Sequence, residues 1–80
     1  MAGKSTLTRP RNRMPAGVRA ALVEHGVLGA YRARPAYQRN DYLGWIARAK
    51  RPETRAKRLR IMLRELKARS GYMTLPYRVR

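Results

Sequence analysis

The stretch Trp45–Leu66, WIARAKRPETRAKRLRIMLREL, decides the fold of this chain. It reads as the end of one helix, a break marked by Pro52, and a second helix for which that proline is a good first-turn residue. Upstream of the break, Tyr42, Trp45, Ile46 and Ala49 fall at i, i+3, i+4 and i+7, one face of a 3.6-residue period. This predicts a helix over about Tyr37–Lys50, with Asp41 near its positive N-terminal end and Arg48 and Lys50 near its negative C-terminal end. Downstream, Ala56, Leu59, Leu63 and Leu66 form the apolar stripe of a helix over Pro52–Arg69, with Met62 on its flank and Gly71 as its stop. Glu53 precedes Lys57 by four residues and Glu65 precedes Arg69 by four. Each acid-first pair is expected to add roughly 0.2–0.5 kcal/mol on a solvated face.

Toward the N-terminus, a further helix is expected from Pro15, with Val18, Ala21 and Leu22 inward and Gly26 as its stop. A short helical piece follows over Val27–Ala33, with Val27, Leu28 and Tyr31 inward; Pro35 ends it by pushing its predecessor out of the helical region. Residues 1–13 carry Lys4, Arg9, Arg11 and Arg13 with no acid and one leucine, and read as a flexible basic arm. Residues 72–80 keep Leu75, Tyr77 and Val79 and read as an extended basic tail. The expected fold is all-α: three main helices and a short one over residues 14–71, around Val18, Leu22, Leu28, Tyr31, Tyr42, Trp45, Ile46, Leu59, Leu63 and Leu66.

Eighty residues allow a single small domain. The formal net charge of +16 opposes compaction and favours a polyanionic partner. Arginine outnumbers lysine sixteen to four. Its planar fork suits phosphate, although a bias toward arginine codons would produce the same ratio without explaining the scarcity of acids. The inventory is poor for catalysis: one histidine, no cysteine and four dispersed acids. His25, at the end of the first helix, reads as a residue suited to the helix dipole rather than a base. No catalytic residue, metal site or cofactor is assigned, because no His/Cys/Asp/Glu group has ligand spacing and no glycine-rich phosphate loop is present. No segment approaches the ~20 apolar residues of a membrane span, and no apolar region follows the basic N-terminus as in a secretory signal. A cytoplasmic protein is expected.

Lys57, Arg60, Arg64 and Lys67 are spaced three, four and three apart, which places them in one basic stripe beside the apolar one. Such a stripe can track a phosphate backbone, or it can be a solvated face whose long stems cover the core edge. Together with Arg9, Arg11 and Arg13 of the arm and Arg78 and Arg80 of the tail, it makes nucleic acid, DNA or RNA, the expected partner. An anionic membrane surface and a protein partner remain as alternatives, and a small-molecule substrate is not expected. Phosphate contacts alone carry no sequence information. Tyr72 and Tyr77 lie outside the expected helices and are candidates for base stacking or for folding back over the bundle. Trp45 reads as core. Arg55 projects toward the apolar side of its helix and needs a partner, either Asp41 or free carbonyls at the end of the preceding helix.

The ordered set Tyr42, Trp45, Ile46, Ala49, Lys50, Glu53, Thr54, Arg55 and Arg58 resembles a motif of the bacteriocin-protection (YdeI/OmpD-associated) family, in its C-terminal helical module. The likeness extends weakly back to the helix at Met14–Leu28. The resemblance implies a helical module in stress response, protecting against bacteriocins or cationic antimicrobial peptides through an envelope or protein partner. It leaves open whether the Thr-Arg-x-x-Arg segment is a structural clamp or a ligand site. The tail departs from the family pattern.

Overall fold

The structure, a computed structural model, describes residues 11–78. Four helices follow one another: α1 (Ala16–Glu24), α2 (Leu28–Ala33), α3 (Ala36–Ala47) and α4 (Pro52–Ala68). An antiparallel hairpin closes the chain, β1 (Ser70–Tyr72) and β2 (Leu75–Arg78). The fold is all-α apart from this hairpin, as the periodicities imply.

Each helix boundary has a local cause. α1 ends in a Schellman motif: the Gly26 amide donates to the Val23 carbonyl at 3.0 Å and the Val27 amide to that of Leu22 at 2.9 Å. Val27 and Leu22 are both buried, which supplies the apolar contact that accompanies the motif. Pro35 and Pro52 stand at the starts of α3 and α4, where no amide hydrogen is needed. Gly71 is not the stop of α4. Arg69 is, in the left-handed conformation at φ 56°. α3 begins one residue earlier than its periodicity suggests, so Asp41 lies mid-helix rather than near the N-terminus, and its carboxylate accepts from the Tyr72 hydroxyl at 2.6 Å.

The core comprises Val18, Leu22, Val27, Tyr31, Tyr42, Leu43, Ile46, Met62, Leu63 and Leu66. Leu28, Trp45 and Leu59, expected within it, are half-buried and pack on its edge. Met62, expected on a flank, is fully buried. The difference at α4 follows from its neighbours. It packs on α2, α3 and β1, so a wider arc than the leucine stripe is covered.

The hairpin makes that arc wider and depends on one acid. Glu65 is 6% exposed. Its Oε1 accepts from the Tyr42 hydroxyl at 2.5 Å and the Met73 amide at 2.9 Å, and its Oε2 from the Thr74 amide at 2.8 Å. Met73 and Thr74 are the central residues of the turn and both have positive φ, 51° and 73°. Type I′ geometry requires this and normally draws Asn and Gly. Here the carboxylate gathers the two turn amides and offsets a strain of about 1–3 kcal/mol per residue. Gly71 is the necessary neighbour: its φ is 90°, and a Cβ there would lie 3.0 Å from Glu65 Cγ. Glu65 is thus an internal acceptor, not the solvated partner of Arg69.

The polar interior continues into α2 and α3. Arg34 is 3% exposed. It donates to Gln38 Oε1 at 3.2 Å and to the Glu65 main-chain carbonyl at 3.4 Å, and its guanidinium lies 5.9 Å from the centre of the Tyr42 ring. Tyr72, a candidate for base stacking from the sequence, instead folds back. Its ring meets Tyr42 edge-on at 5.5 Å and Tyr37 edge-on at 6.3 Å. The residues after 71 are therefore a docked hairpin as far as Arg78, not a free extended tail. At the other end Asn12 pins the chain to α3, its amide donating to Asn40 Oδ1 at 2.7 Å and its Nδ2 to the Asn40 carbonyl at 2.9 Å. The approach needs Gly44, where a Cβ would come within 2.7 Å of Asn12 Nδ2. Asn12 therefore belongs to the packed unit rather than to a loose arm.

Two measurements check this account. Glu65→Gln places an NH2 group where an acceptor is needed and leaves a buried donor unpaired, at a cost of about 1–3 kcal/mol. The melting temperature should fall by roughly 4–8 °C for each kcal/mol; a variant melting like wild type would mean the carboxylate does not hold the turn. The Tyr42 hydroxyl has its pKa raised above 10.0, first by burial and then by its hydrogen bond to Glu65 and that group's negative charge, with Arg34 opposing. The native state therefore keeps a proton that the unfolded chain releases above pH of about 10. Stability from this group is complete below that pH and declines above it. Tyr42→Phe should flatten the alkaline limb of the stability–pH curve.

Candidate functional site

The stripe residues Lys57, Arg60, Arg64 and Lys67 are all exposed on one side of α4. The helical period supplies the alignment, and burial of Met62, Leu63 and Leu66 on the adjoining arc turns the cations outward. Packing adds a residue that the sequence placed only as a helix end. His25, the C-cap of α1, lines a shallow depression with Arg60, Leu63, Arg64 and Lys67. No acid lines it. Arg64 also borders a second hollow, shared with Glu65, Ser70, Gly71 and Thr74, so it stands on the ridge between the two. An apolar floor rimmed by long-stemmed cations can hold a bent anionic chain by its phosphates, and each arginine can do so with two parallel bonds.

The remaining basic candidates divide. Arg11 and Arg13 are exposed just before α1. Arg9 and Arg80 lie outside the described residues, as do the side chains of Tyr77 and Arg78. A signal for His25 could have been found only by knowing that the end of α1 meets α4. A separate cleft between the N-terminal segment, α2 and α3 is lined by Arg11, Asn12, Tyr31, Tyr37, Arg39 and Asn40. The sequence did not single out Tyr37 or Arg39, because nothing local marks either as lining a cleft.

The motif residues form a joint rather than a face. Arg55 donates through Nη1 to the Ala49 carbonyl at 2.9 Å and the Lys50 carbonyl at 3.2 Å. Arg58 donates through Nη1 to the Trp45 carbonyl at 2.6 Å, and its guanidinium sits 5.2 Å from the centre of the Trp45 ring. The partners of Arg55 are thus the free carbonyls and not Asp41. Its side chain is exposed and borders the apolar surface formed by Val18, Ile46, Ala56 and Leu59. Tyr42, Ile46 and Ala49 are buried, Trp45 and Thr54 half-buried, and Lys50 and Glu53 exposed. The Thr-Arg-x-x-Arg segment caps the C-terminal end of α3, whose last carbonyls have no intrahelical partner.

The family described as bacteriocin-protection, YdeI or OmpD-associated matches residues 13–69. The chain belongs to that family. No curated protein and no solved structure matches the chain. In this bacteriocin-protection family member the matched span covers all four helices and the Arg55–Arg58 clamp, and it stops at the left-handed Arg69; β1 and β2 follow it.

The clamp and the stripe separate under substitution. Arg58→Met keeps the stem over Trp45 but forfeits the bond to its carbonyl and the cation–π contact, a loss of about 1–3 kcal/mol. Arg55→Met should cost less, since Arg55 is exposed. Lys57→Met should leave the urea midpoint near wild type. If Arg58→Met unfolds at the wild-type urea concentration yet weakens binding to duplex DNA, the segment is a ligand site and not a clamp.

Proposed function

We propose that this family member is a non-catalytic module that binds nucleic acid through backbone phosphates. The observation that carries the reading is the exposed row Lys57, Arg60, Arg64 and Lys67 beside His25, over a depression that no acid lines. The formal charge of +16 adds long-range attraction for a polyanion. Reading of base sequence is not part of the proposal, since phosphate contacts position a protein without specifying a site. The non-catalytic assignment rests on the exposed His25 and on the use of Glu65 and Asp41 as internal acceptors. A cytoplasmic location remains part of the proposal; among the described residues no helix is long and apolar enough to cross a membrane.

The family itself favours a second reading, an interaction module in bacteriocin protection with a protein or envelope partner. Adsorption to anionic lipid has less support. The apolar arc of α4 is consumed by the core through Met62, Leu63 and Leu66, which leaves little to insert below headgroups.

Affinity for duplex DNA measured across a salt series tests the first reading. Each of Lys57→Ala, Arg60→Ala, Arg64→Ala and Lys67→Ala should lower the slope of log K against log salt by about 0.9 if that residue meets a phosphate. The fold should survive, because all four side chains face solvent. A quadruple variant with wild-type slope and affinity removes the stripe from the mechanism. Tighter binding to anionic vesicles than to DNA would favour the envelope reading.

A further inference from the structure

Outside the stripe, the chain encloses a cleft of about 300 Å³ between its N-terminal segment, α2 and α3. That size falls at the lower end of the ~300–1,000 Å³ typical of small-ligand sites. Its lining combines two cations, two aromatic rings and two amides, with no acid. Tyr37 is 49% exposed there, although it is a large aromatic residue on a helix that buries five others. Its ring is nevertheless held. Tyr72 packs edge-on against it at 6.3 Å, and Gln38 Nε2 donates to its hydroxyl at 3.3 Å. Arg39 is also held in place: its Nε donates to the Arg34 carbonyl at 3.1 Å, which leaves both Nη groups without a partner among the described residues. The positive charge of Arg39 is felt at the Tyr31 hydroxyl, where it partly offsets the upward pKa shift caused by burial. Arg11 lies on the same cleft. Asn12 spends its amide and Nδ2 on Asn40, so its Oδ1 acceptor carries no bond among the described residues.

These groups are of different kinds and suit different parts of one ligand. A fixed, half-open aromatic ring offers a stacking surface that any base can use. A guanidinium tethered by Nε presents its Nη pair in the geometry that grips phosphate with two bonds. An amide oxygen can accept from a base N–H, such as the N3–H of thymine. A duplex presents its phosphates but keeps its bases stacked on one another, so it cannot use all three. We propose that this cleft holds one unstacked nucleotide of a single-stranded nucleic acid, its base against Tyr37 and its phosphate at Arg39 and Arg11. The inference rests on the nucleic-acid reading above and narrows it to single strands at this second site.

Three ten-nucleotide probes test it at one low salt concentration by fluorescence anisotropy: oligothymidylate, an abasic strand with the same phosphodiester backbone, and a duplex. Stacking of a base should make wild-type protein bind oligothymidylate about tenfold more tightly than the abasic strand. Tyr37→Phe should keep that preference. Tyr37→Leu should abolish it while leaving duplex binding unchanged, and Arg39→Gln should weaken both single strands. Photocrosslinking of wild-type protein to an oligomer containing 4-thiothymidine, mapped by mass spectrometry, gives a readout free of any folding defect. Adducts at Tyr37 are expected; adducts confined to α4 would overturn the proposal. Equal affinity for oligothymidylate and the abasic strand, with duplex binding intact and salt-dependent, would overturn the cleft and spare the stripe. Failure of all three probes to bind would overturn both.

Discussion

The carboxylate of Glu65 is the point on which the rest of the architecture hangs. It is buried, and it accepts from one side chain of α3 and two amides of the hairpin turn. Without those three donors an anion at that depth would be costly. Without the anion, the left-handed Met73 and Thr74 would have no partner for their amides. The two requirements therefore satisfy each other. Gly71 provides the space, and Arg34 draws the same turn of α4 toward α2 through its main-chain carbonyl. One acidic position thus ties together α2, α3, α4 and the hairpin.

A second regularity concerns the ends of helices. With four acids for twenty basic residues, this chain cannot order its arginines by ion pairs alone. It uses main-chain carbonyls instead. Arg39 donates to the carbonyl at the end of α2, Arg55 and Arg58 to those at the end of α3, and Arg34 to one in the last turn of α4. These oxygens lie in the last turn of a helix or just beyond it, where the negative pole of the helix dipole favours a cation. The arrangement settles arginines against neutral groups and joins α2 to α3, α3 to α4 and α2 to α4 by the same contacts.

Much of the helical frame is legible from residue order. The proline at 52, the Tyr42–Ala49 face and the leucines of α4 give the two long helices within a few residues, because their causes are local. The hairpin is less so. Tyr72-Met73-Thr74-Leu75 contains neither Asn nor Gly, and the feature that permits its turn lies eight residues upstream on another element. Glu65 offers an i+4 partner in Arg69, and nothing nearby says that the acid prefers the interior; its place beside Leu66 and three residues after Met62 is the one available sign. The basic row was readable from spacing alone. The cleft around Tyr37 was not, since it requires Asn12 to dock on Asn40 and Gly44, a contact between residues some thirty positions apart.

The arginines that close helix ends also change how the composition should be interpreted. A guanidinium committed to a carbonyl still counts toward formal charge, but its donors are partly spoken for. Arg34, Arg55 and Arg58 are scaffolding in this sense, and Arg39 is so through one of its nitrogens. The valence with which this molecule meets a polyelectrolyte is therefore smaller than its titration charge. Two homologous chains of equal net charge could differ widely in how many counterions they release, according to how many of their arginines face inward.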